Sequence, residues 1–547
     1  MFIRETASLA TAVCLGLLAS AGVGRAAPPP ATYDDLAAFF KDWRAFQKPK
    51  LVDGVPDYGA AAMAKQAHEL DAYRQRLAKI DPSHWPIPQQ VDYYVVRAEL
   101  AGLDFDHRVL KPWANNPGFY VTVFDEESDQ PAREGPFALG AVELWSYPFP
   151  LSAADAAKVA GGIRTIPRLL TQAKTNLTGN GRDLWVYGTK EIRRQSAELA
   201  ALGRKLEGAP ASLKTEVERA RKATEDFASW LDSKAPSKTG PSGVGIENYN
   251  WYLKHVQLVP YTWSEVVALM ERELGRSRAL LAMEEIRNAK LPVQEPVASN
   301  ADEYDKKFNA AVTEYMAFLK DHGILTVKDY MDPAMRARIG TYRSGPREFF
   351  AEVDYRDPEV MRTHGYHWFD KAWMKYEQAP TPIRREVLLY NMFNTRTEGQ
   401  ATAWEELMMQ AGMFDARPRT RELIYILVAE RAARALGELY MQANLMTLEE
   451  AAAFACANTP RGWLSMEGQL VRSEQHLYLQ QPGYGPSYLV GKIEIEKLLA
   501  ERRAALGDAF RMQAFMDAFN AAGFIPASLL RWELNGTQSA ELKRMLE

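Results

Sequence analysis

The chain has 547 residues, 47% of them apolar and 25% charged, with a formal net charge of −4. That is ordinary globular composition, and it carries no basic block of the kind that grips a phosphate backbone, so nucleic acid is not an expected partner. No segment after the first few dozen residues is apolar for long enough to span a bilayer, so no membrane span is expected in the mature chain.

The opening residues read as an export leader, residues 1–26. Arg4 stands in a basic start, an apolar run follows from Ala7 to Val23, and Gly24-Arg25-Ala26 supplies small residues around a cleavage point. The run is about seventeen residues, short of the roughly 20 that a permanent anchor needs. Cys14 lies inside it after Val13, where lipid attachment would want a small residue. A periplasmic or secreted location follows. Past Ala26 one cysteine remains, Cys456, so no intrachain disulfide can form and the core must hold the fold.

Residues 27–231 read as an N-terminal helical region, interrupted from Asp104 to Phe149 by a Pro-, Gly- and aromatic-rich stretch expected to be ordered loop. Its rings are expected to pack a helix bundle. Residues 232–245, Asp-Ser-Lys-Ala-Pro-Ser-Lys-Thr-Gly-Pro-Ser-Gly-Val-Gly, cannot hold a regular helix and read as a linker or surface loop. A C-terminal helical region, 246–547, follows. Thr262 and Glu265 form a capping box opening a helical pattern over Tyr261 to Asn288, and Thr447 with Glu450 repeats the device before Ala451. Phe349, Ala351, Val353 and Tyr355 alternate with polar residues and predict a strand from Phe349 to Tyr355. The fold class expected is mainly α, a large multi-helix assembly with a central cleft and at most a small sheet.

Three segments of the C-terminal region carry residues able to do chemistry. His364 and His367 lie three apart in Met361-Arg-Thr-His-Gly-Tyr-His-Trp-Phe-Asp370, a spacing that shares a helix face. Two imidazoles and one carboxylate from elsewhere make three ligands for a divalent metal with a position left for water. Glu398 and Glu405 are seven apart in Thr397-Glu-Gly-Gln-Ala-Thr-Ala-Trp-Glu-Glu406, hence on one face but roughly 10 Å apart along the axis. One can ligate while the other orients a ligand or binds substrate. Farther on, Pro482, Gly483, Gly485 and Pro486 break two helical patterns and put Tyr484 and Tyr488 at a loop–helix junction. A hydroxyl there can donate to a developing oxyanion.

These segments, in this order, resemble the bacterial domain-of-unknown-function-885 family, whose members look like zinc peptidases of the gluzincin kind. Glu398, Gly399, Ala401 and Glu405 match that family's Glu-Gly-Trp-Ala-x-Tyr-x-Glu helix, with Gln400 in place of tryptophan. Pro482, Gly483, Ser487, Tyr488 and Gly491 match its Pro-Gly-Gln-x-x-x-Tyr-x-x-Gly segment, with Tyr484 in place of glutamine. Val244 to Leu253 resembles its Gly-x-Glu-x-Tyr-x-x-x-Leu stretch, and Pro380 to Arg385 is similar to a further family segment. The His-Glu-x-x-Pro-Gly-His motif is degenerate here: Thr363-His-Gly-Tyr-His-Trp-Phe-Asp370 lacks both the glutamate after the first histidine and the Pro-Gly before the second. That glutamate is the family's expected general base, a role typically worth about 10²–10⁴ in rate.

The resemblance implies zinc held by His364, His367 and Glu398, with Glu405 and Tyr488 as catalytic groups and Asp370 as a stand-in for what the first motif has lost. The product of that reading is an exported metallohydrolase-like protein acting on a peptide, amide or related small substrate. Two alternatives stand beside it. One is a catalytically inactive member that keeps the cleft as a periplasmic binding module; the other is a metal-independent enzyme using Glu398, Glu405 and His367 as acid and base.

Overall fold

A computed structural model describes residues 31–547, so the leader and Cys14 lie outside the described residues. Helices dominate, and strand content among the described residues is confined to two two-stranded sheets. Leu51–Val52 pairs antiparallel with Val55–Pro56, and Val123–Phe124 pairs parallel with Val142–Glu143. No helix among the described residues is long and apolar enough to cross a membrane.

Both predicted capping boxes form: Thr262 caps the helix Trp263–Arg287 and Thr447 caps Leu448–Asn458, each with its N3 glutamate reaching back. The expected strand from Phe349 to Tyr355 is instead the helix Phe349–Arg356. Phe349 and Val353 satisfy an alternating pattern and an i,i+4 stripe equally well, and both are buried in one cluster with Val360 and Met409. An ion pair between Glu352 and Arg356, also four apart, completes the helical side.

The Asp104–Phe149 stretch is not loop throughout. Asp104 and Phe105 finish the helix Ile87–Phe105, a π-helical turn Asp106–Leu110 follows, and short helices and the parallel strand pair occupy part of the rest. Phe119, Tyr120 and Phe124 do pack as expected, in a cluster with Trp185 and Phe227.

In the segment 232–245, Asp232 to Lys234 still belong to the helix Ala211–Lys234, because its Pro and Gly content begins only afterwards. The remainder is tied on both sides. Gly240 exchanges backbone hydrogen bonds with Asn180 and Arg182, and Gly245 N–H donates to the Gln442 carbonyl. The largest hydrophobic cluster draws on both sides of this segment, joining Leu36, Trp43 and Leu103 to Tyr315, Trp404 and Leu530. Buried Arg384, in the Pro380–Arg385 segment, bridges Asp92 at 2.7 Å and Glu533 at 2.7 Å, stitching the same two regions.

At the centre, the helix Asn394–Gln410 crosses Tyr484–Leu506 at a glycine contact. A Cβ on Gly399 would run into the Gly491 backbone, and one on Gly491 would strike the Thr395 carbonyl. Only glycine at both positions lets the backbones meet.

Candidate metal centre

His364 ends the helix Pro358–His364 and His367 lies in the first turn of Tyr366–Tyr376, so Gly365 does break the helix between them. The break is shallow, with Gly365 at φ −60° and ψ 10°. The two rings consequently stay together, their centroids 5.1 Å apart and edge to face. Both face the buried helix Asn394–Gln410, which brings one carboxylate to each: Glu398 Oε2 lies 3.2 Å from His367 Nε2, and Glu405 Oε1 lies 3.0 Å from His364 Nδ1.

Ligand atoms of His364, His367 and Glu398 all fall within 4.8 Å of one another. His367 Nε2 and Glu398 Oε2 are buried and face each other, and neither makes a well-aligned hydrogen bond to any other group, so a third body between them would satisfy both. Atoms bound at about 2.0–2.1 Å in a tetrahedral zinc site are themselves roughly 3.3 Å apart. The 3.2 Å between these two atoms therefore fits a shared metal ion, and so does the donor set of two imidazoles and a carboxylate.

The surrounding groups fix these three side chains. Tyr484 O–H donates to Glu398 Oε1 at 2.5 Å, and Gln130 Nε2–H donates to the same oxygen at 3.1 Å, which leaves Oε2 free. Gln130 also lies 3.3 Å from His367 Nδ1, and its carbonyl accepts from Thr397 at 2.7 Å. Glu405 is gripped by the buried Arg431 in a two-pronged pair, both contacts 2.8 Å. It therefore orients His364 and is not itself among the three converging ligands. Asp370 is turned away into an ion pair with Arg396.

Charge follows from this geometry. Burial pushes the His367 imidazole down, but the carboxylates of Asp129 and Glu398 outweigh it and raise it to about 9. Burial acts the opposite way on Glu398, and His367 with the Tyr484 hydrogen bond brings it down to about 2. Burial and the Arg431 charge hold His364 below its ordinary value, hence neutral and able to ligate. On the loop that carries Gln130, burial and then Asp129 push Glu134 up to about 7.

The Pro482–Pro486 break is clamped from behind. Buried Glu438 accepts from Gly483 N–H at 2.5 Å, Gly485 N–H at 2.6 Å and the Tyr249 hydroxyl at 2.8 Å. Gly483 is in the left-handed region at φ 88°, and the turn it makes presents Tyr484 to Glu398. Tyr488 stands one turn on, partly exposed, with the guanidinium groups of Arg431 and Arg434 over its ring at 5.7 and 5.5 Å.

Gln130, Glu134, Arg431 and Glu438 were not singled out by the sequence reading. Arg431 and Glu438 had a legible signal: with Glu430 and Arg434 they are the charges within Leu423 to Leu439, a stretch otherwise apolar and fully packed. Gln130 and Glu134 sit in irregular backbone with no periodicity to mark them.

The sequence matches the family described as "Bacterial protein of unknown function (DUF885)" over residues 46–386 and 365–534. The chain belongs to the DUF885 family. The fold is shared with a candidate lipoprotein of unknown function from Shewanella oneidensis, at 15% identity and a TM-score of 0.67, covering 92% of this chain and 100% of that one. A candidate lipoprotein from Colwellia psychrerythraea is similar at 14% identity and a TM-score of 0.61, over 92% of this chain and 98% of that one. No curated protein matches the sequence.

Proposed function

We propose that this DUF885 member is an exported zinc-binding hydrolase of the metallopeptidase type, acting on peptide or amide bonds. The observation that carries the reading is the convergence of His367 Nε2 and Glu398 Oε2, buried, 3.2 Å apart beside His364 and with no hydrogen bond to any other group. A bound divalent ion would supply Lewis-acid polarisation of a carbonyl and acidification of water. The chain's own part begins with Glu405, which holds His364 through Nδ1, and continues with Tyr484 and Gln130, which fix Glu398 through one oxygen.

The proton acceptor has to come from outside the first motif, since Gly365 stands where the family's glutamate would be. Glu134 is our candidate for it: it lies on the loop whose Gln130 contacts both Glu398 and His367, and burial and Asp129 raise its carboxyl to about 7, in the range a general base needs near neutrality. Export is supported by the apolar leader and by the description of both structural neighbours as candidate lipoproteins.

Elemental analysis of the mature protein after dialysis against trace zinc tests the metal, and hydrolysis of a peptide library tests the chemistry. One zinc per chain, lost in His364→Ala and Glu398→Gln, is expected. Negligible metal in wild type and variants alike would overturn the reading. Gly365 favours one alternative specifically: zinc bound at full occupancy with no hydrolysis of any peptide would make the protein a binding module.

A further inference from the structure

Away from the metal centre, a cavity of about 240 Å³ opens between the N-terminal helices and the loop around Gly135. Its walls are aromatic, with Tyr58, Trp113, Phe119, Phe137, Tyr252 and Tyr390 all contributing, and one carboxylate, Asp106, enters it. None of the lining residues is Lys, Arg or His; the other polar groups are neutral, the amides of Gln and Asn, the tyrosine hydroxyls and the Trp113 indole N–H.

Asp106 is delivered by the π-helical turn that ends the helix Ile87–Phe105, whose Lys111 N–H reaches back five residues to the Asp106 carbonyl at 2.7 Å. Such turns displace a residue from the regular helical path and recur at functional positions. The backbone of Asp106 is thus satisfied, while no hydrogen bond or ion pair to its carboxylate is made within the described residues. Burial alone pushes that carboxyl up to about 8, with no cation of the chain opposing it. Opposite, Tyr390 and Asn391 are held in left-handed backbone at φ 58° and 46°, and the Tyr390 ring is seated flat on Gly102, where any Cβ would collide with it. Non-glycine residues keep that conformation only where their surroundings enforce it.

The ring quadrupoles attract a cation, and an ammonium seated beside Asp106 would draw its carboxyl into the ionised form that burial alone disfavours. We propose that this cavity binds a small organic cation, a protonated amine on an aromatic or alkyl body, with the ammonium at Asp106 and the body against the rings. The proposal is independent of the metal centre, although one segment separates them: Gly135 lines the cavity while Glu134 feels Glu398.

Calorimetric titration of the mature protein with 2-phenylethylamine and with its neutral counterpart 2-phenylethanol tests this. The amine should bind once per chain and at least tenfold more tightly than the alcohol, and Asp106→Asn should abolish that preference. Phe137→Ala, which removes a wall but not the charge, should weaken both ligands together. Equal affinity of the two in the wild type, or no binding of the amine at millimolar concentration, overturns the proposal, and that comparison needs no variant. Loss of amine binding on chelation would assign the ligand to the metal centre and overturn it as well.

Discussion

Replacing Glu405 by Gln separates the two roles that carboxylates of one helix can have at a metal. Glu405 touches His364 at 3.0 Å and Arg431 at 2.8 Å twice, whereas Glu398 offers the free oxygen beside His367. A carboxylate that only orients a ligand typically contributes about 10–100-fold in metal affinity, or ~1.4–2.7 kcal/mol. The Gln side chain keeps the shape and one acceptor, so His364 stays near its place but loses the charge that favours its Nδ1–H tautomer. Arg431 is left buried without its main counter-charge, a loss of about 3–5 kcal/mol in such pairs. Zinc affinity of wild type, Glu405→Gln and Glu398→Gln, measured by chelator competition at one pH, should fall in that order. Circular dichroism would confirm that each variant is folded. Unchanged affinity in Glu405→Gln refutes the orienting role, and a loss as complete as that of Glu398→Gln refutes the assignment of ligands.

Zinc affinity should rise about tenfold per pH unit between pH 6 and 8, because His367, raised to about 9, must lose a proton to bind metal; a flat profile over that range would contradict the His367–Glu398 pairing. Gly491→Ala should lower stability by about 1–3 kcal/mol or more and depress the melting temperature, since the added methyl meets backbone that cannot turn aside. Arg276 and Lys492 overcome burial to bring Glu406 down to about 2, so below the unfolded value near 4.5 the folded chain binds fewer protons than the unfolded one. Its stabilisation is complete above that pH and lost as pH falls toward 2, and acid unfolding of Glu406→Gln should show a shallower pH dependence than wild type across that window.

What could be read from the sequence was whatever has a short period. Capping boxes are local, and both formed where Thr262 and Thr447 put them. The seven-residue spacing of Glu398 and Glu405 is also local, and each duly faces a histidine. The Phe349–Tyr355 segment failed because a five-residue window contains both the strand and the helix pattern, and tertiary burial of Phe349 and Val353 made the choice. The groups that tune the centre come from far away in sequence: Gln130 reaches Glu398 across 268 positions, and Tyr249 reaches Glu438 across 189. No local rule can find such partners.

Those long-range contacts explain why the segments that resemble the family are spread over the chain yet act together. Tyr249 donates to Glu438, Glu438 holds the Gly483 and Gly485 amides, and the turn they define delivers the Tyr484 hydroxyl to Glu398. Gly399, next to Glu398, meets Gly491, seven residues past Tyr484, and so fixes the height at which the two helices cross. The position of Glu398 is therefore set twice, by a hydrogen-bonded clamp and by backbone contact, and neither route passes through the helices that carry His364 and His367. A changed first motif can shift the histidines without moving the carboxylate. The frame accordingly tolerates Gly365 after His364, and the chemical outcome rests on whether Glu134 can serve as base. Glu134→Gln should then abolish hydrolysis while leaving zinc occupancy at one per chain, and undiminished turnover in that variant would remove Glu134 from the mechanism.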